Sequence, residues 1–113
     1  MKGYEYVQHE VTMLFQLVLN DFMLRTGQMP DDGKRGCQNN KIEVIRLINH
    51  YRKALSKLQT EEPDYKEELQ DILDALAAPD KRYVDLSKEE FIRRVHTALV
   101  QTRQSIITNF GEF

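Results

Sequence analysis

The chain predicts a single all-α domain, a bundle of four mainly antiparallel helices, on three observations. Apolar residues recur at steps of three and four in four separate stretches, the period of a helix with one buried face. Glycine and proline are scarce, five and three among 113 residues, and they fall between those stretches or at their edges. The last stretch carries both of its boundaries in its sequence, with Leu86-Ser87-Lys88-Glu89-Glu90-Phe91 at one end and Gly111 at the other. A chain of this length is one domain, 1–113, able to build one modest core.

The first helix spans Tyr4 to Arg25, with Val7, Val11, Leu14, Val18 and Phe22 as its main stripe and Phe15, Leu17 and Leu19 widening it. So apolar a helix is expected to be the most buried element. Gly27, Pro30 and Asp31-Asp32-Gly33 then form a loop lasting to about Asn39, long for a compact domain. The second helix starts near Asn40, a good N-cap, and buries Val44, Ile48, Tyr51, Leu55 and Leu58. The third opens at Pro63, whose missing N–H costs nothing in a first turn. There Asp64, Glu67 and Glu68 complement the positive end of the helix dipole. Tyr65, Leu69, Ile72 and Leu76 form its stripe, and Pro79 ends it.

In the fourth helix Ser87 is placed to cap the N–H of Glu90, Glu90 to reach back to Ser87, and Leu86 to close over Phe91. Phe91, Val95, Leu99 and Ile106 form its core face. Leu73, Val100 and Ile107 fall off the main stripes, as either a widened core or an exposed apolar strip.

Composition narrows the functional classes. Cys37 is the single cysteine and has no internal disulfide partner, which points to a reducing, cytoplasmic setting. Met1-Lys2-Gly3-Tyr4-Glu5 does not read as a secretory leader. The most apolar window, Met13 to Leu24, is too short for a bilayer and carries Gln16, Asn20 and Asp21, so no membrane partner is expected. The net charge of −2 hides two blocks: residues 40–60 balance to +4 and residues 61–80 to −7.

Three constellations bear on chemistry. Glu67, Glu68, Asp71 and Asp74 recur at helical spacing and offer carboxylates of the kind that hold Mg²⁺. Residues 67–73 are similar to the second metal motif of all-α nucleotide pyrophosphohydrolases, which implies a Mg²⁺-dependent hydrolase. Such enzymes also need a carboxylate pair on the preceding helix, where this chain has only Glu43. A solvated acidic face is the favoured reading, with no metal and no cofactor. His9, His50 and His96 lie on three different helices without a second ligand three or four residues away, and Cys37 sits beside Lys34-Arg35 with no organised base. Arg46, His50, Lys53 and Lys57, with Arg52 at their edge, form a basic stripe able to contact phosphates. The adjoining acidic block offers the opposing account, internal pairing with Glu67, Glu68, Asp71 or Asp74.

Two stretches carry a family resemblance. Val44-Ile45-Arg46-Leu47-Ile48-Asn49-His50-Tyr51-Arg52-Lys53 resembles the second helix of YqeY-like proteins. Leu86-Ser87-Lys88-Glu89-Glu90, together with Gln101-Thr102-Arg103-Gln104-Ser105-Ile106, resembles their third. This GatB/YqeY family includes the tail domain of the B subunit of the tRNA-dependent amidotransferase. The resemblance implies a helical module that grips RNA without doing chemistry. The expectation is therefore a non-catalytic interaction module contacting RNA through Arg46, His50, Lys53 and Lys57. A protein adaptor or inhibitor is the alternative, with Ile92, Val100 and Ile107 as the surface for a protein partner or a second copy.

Overall fold

The structure, a computed structural model, describes residues 2–27, 40–76 and 81–111. It contains four helices among these: α1 (Tyr4–Arg25), α2 (Asn40–Glu61), α3 (Lys66–Leu76) and α4 (Lys88–Phe110). Short 3-10 turns at Pro63–Tyr65 and Lys81–Asp85 lead into α3 and α4. Pro63 begins a 3-10 turn, and the α-helix proper starts three residues later. Most of the long loop, with Pro30 and Cys37, lies outside the described residues, as does Pro79.

Cross-links fix the topology as up-down-up-down. At one end of the bundle the Lys2 N–H donates to Glu62 Oε1 at 2.8 Å, joining the start of α1 to the end of α2. At that same end Tyr4, Tyr65 and Phe110 form a ring cluster, with centroids 5.8–6.4 Å apart. The Gln8 side-chain amide donates to the Phe110 carbonyl, so α1 also runs antiparallel to α4. At the other end Arg25 meets Glu43 at 3.8 Å, and Lys41 Nζ donates to the carbonyls of Val84 and Leu86.

The core is one contiguous cluster drawn from all four helices. Val44, Ile48, Tyr51, Leu55 and Leu58 are all buried, as their spacing predicts. Leu73 joins Leu69, Ile72 and Leu76 inside, because the short α3 is wedged between α2 and α4 and buries a wide face. Phe110 and Thr102 extend the buried face of α4, and the Thr102 hydroxyl is satisfied by the Ala98 carbonyl at 2.7 Å. Tyr83 packs edge-on against Phe91, covering the core where α3 has already ended.

Two expectations need correction. Ser87 Oγ does accept the Glu90 N–H at 3.1 Å, but the reciprocal arm of the capping box is missing. The Glu90 carboxylate is instead taken by the guanidinium groups of Arg93 and Arg94, charged donors that outcompete a backbone amide. And α1 is not buried around its whole apolar surface: Phe15 is inside, but Leu17 is 61% exposed.

Candidate interaction surface

The basic stripe is real as a surface. Arg46, His50, Lys53 and Lys57 are all exposed on the side of α2 opposite its core residues. Arg46 Nη1 lies 3.4 Å from Glu43 and Lys57 Nζ 3.9 Å from Glu61, both pairs along the same helix and open to solvent. Such pairs hold their cations weakly, at about 0–1 kcal/mol each. Among the described residues His50 and Lys53 have no hydrogen bond or ion pair. Arg52, at the edge of the stripe, does something else: its guanidinium donates to the Leu73 carbonyl at 2.6 Å. There it satisfies a backbone oxygen of the last turn of α3 and complements the negative end of that helix.

The acidic helix does not neutralise this stripe. The polar links between α2 and α3 are Arg52 to Leu73 and Gln59 to both Gln70 and the Lys66 carbonyl. No ion pair joins the two helices among the described residues. Internal pairing across the helices is thus corrected: the polar links of α3 to α2 run through Gln70 and the Lys66 and Leu73 carbonyls, while Asp71 is bound from α4.

Asp71 accepts Ser105 Oγ at 2.7 Å and Asn109 Nδ2 at 2.8 Å, and these hydrogen bonds hold its carboxyl below the usual aspartate range. Asp74 accepts from Gln70. Glu67, Glu68, Asp71 and Asp74 do not converge, and among the described residues no group of three or more His, Cys, Asp or Glu side chains is placed to hold a metal ion. Of the four carboxylates in this motif, Asp71 ties α3 to α4. His9, His50 and His96 are exposed on separate helices and do not form a ligand set.

The apolar strip on α4 divides. Ile92 is half-buried against the core, Ile107 is half-buried, and Val100 alone is largely exposed, at 54%. The larger exposed apolar groups are elsewhere, on α1: Met13 at 49% and Leu17 at 61%. Leu17 lies half a turn around α1 from Gln8, whose amide reaches α4, so Leu17 is on the flank away from α4. Tyr6, Glu10, Met13, Leu17 and Leu24 share that flank at steps of four, three, four and seven. Sequence reasoning placed Leu17 in the core. The missed signal is the density of the run Met13–Leu19, which is apolar apart from Gln16 and too wide for one stripe.

A shallow pocket of about 220 Å³ opens between α3, the turn before α4 and α4, lined by Ala75, Tyr83, Arg93, Arg94, Thr97 and Gln101 among others. Its two guanidinium groups are already engaged by Glu90, whose pKa they pull down to about 2. The pocket therefore offers little free charge to a ligand.

No protein-family model, curated protein or solved structure matches the chain. The likeness of residues 44–53 and 86–106 to the GatB/YqeY family therefore rests on those residues alone. None of the described helices is long and apolar enough to cross a membrane.

Proposed function

We propose that this chain is a non-catalytic helical interaction module that receives a protein partner on the outer face of α1 and α2. One observation carries the reading: Met13 and Leu17, large aliphatic side chains one turn apart on α1, are 49% and 61% exposed. Exposed aliphatic groups gathered on one helix flank supply the burial that a docking surface needs. The test is photo-crosslinking from position 17, with position 100 as the comparison. A protein adduct at 17 and none at 100 is expected. Adducts only at 100 would move the partner to the α4 strip of Ile92, Val100 and Ile107.

A second reading has its own observation. Arg46, His50, Lys53 and Lys57 are open to solvent on one face, as a phosphate-contacting stripe requires. RNA, tRNA above all, is the ligand this predicts. Affinity would fall with salt, and replacing Arg46, Lys53 and Lys57 with Gln would flatten that dependence. No binding at low salt would remove RNA from consideration.

A further inference from the structure

We draw no further inference here: the strongest candidate, the exposed apolar patch of Met13 and Leu17 on the flank of α1 away from α4, belongs to the surface already described, and nothing in the structure shows what covers it.

Discussion

At the scale of single residues, three groups make sharp expectations. Ser87 caps α4 without a reciprocal partner, so Ser87→Ala should cost about 1 kcal/mol, the usual loss for a helix cap. For a domain of this size that lowers Tm by roughly 4–8 °C, readable by thermal melting. Tyr51 is the opposite case. Its ring is buried, its hydroxyl has no hydrogen-bond partner among the described residues, and burial pushes the phenol pKa up. Removing that hydroxyl relieves a desolvated polar atom, so Tyr51→Phe should leave Tm unchanged or raise it. Asp71 and Glu90 both have pKa values depressed by hydrogen bonds to their charged forms. Groups of this kind stabilise the fold above their unfolded pKa and lose that contribution as pH falls through the folded one. The Tm gap between wild type and Asp71→Asn should therefore be full at neutral pH and close as pH drops below about 4. For Glu90→Gln the corresponding gap closes between pH 4.5 and about 2, and it should be small because the carboxylate and its arginines are solvated.

At the scale of elements, α3 is the dependent one. Eleven residues make a helix too short to be stable alone in water, so its order comes from its neighbours. Leu69, Ile72, Leu73 and Leu76 bury its apolar face, Arg52 binds the Leu73 carbonyl from α2, and Ser105 and Asn109 hold Asp71 from α4. Arg52→Ala removes a charged donor from a helix C-terminus and is expected to cost on the order of 1–2 kcal/mol. The loss should show first as faster amide exchange in the last turn of α3, while the middle of α2 stays protected. Uniform acceleration across the chain would mean that α3 does not open independently. This also separates Arg52 from the stripe it adjoins in sequence: its charge is spent on the fold, while Lys53 next to it has no partner among the described residues.

For the whole molecule the telling pair is Phe15 and Leu17, two large apolar residues two positions apart with opposite fates. Phe15 is 1% exposed and Leu17 61%. Phe15→Ala opens a cavity in the shared core and should cost about 3–5 kcal/mol. Leu17→Ala removes a solvated side chain and should stay within about 0.5 kcal/mol of wild type in denaturant unfolding. A large loss at Leu17 would place it in the core and end its candidacy as a docking residue. The contrast arises because four helices around one core can each turn only part of their circumference inward.

Most of this architecture was legible from the chain. The bounds of α1 and the start of α2 follow from periodicity and breakers, and the boundaries of α4 from Ser87 and Gly111. At Gly111 the backbone takes φ 86°, a conformation open to glycine. These features are local: spacing, capping and conformational freedom act over a few residues and are written in order along the sequence. What the tertiary structure alone decided is which neighbour each flank meets. Composition gave two opposite charge blocks adjoining in sequence, and only packing revealed that α2 and α3 meet through Gln59, Gln70 and Arg52 while Asp71 turns to α4. Nor could a single sequence rank Leu17 against Ile92 or Val100. Each is a strong core former on an amphipathic helix, and its exposure depends on whether a second helix covers that flank, which is a property of the assembled bundle.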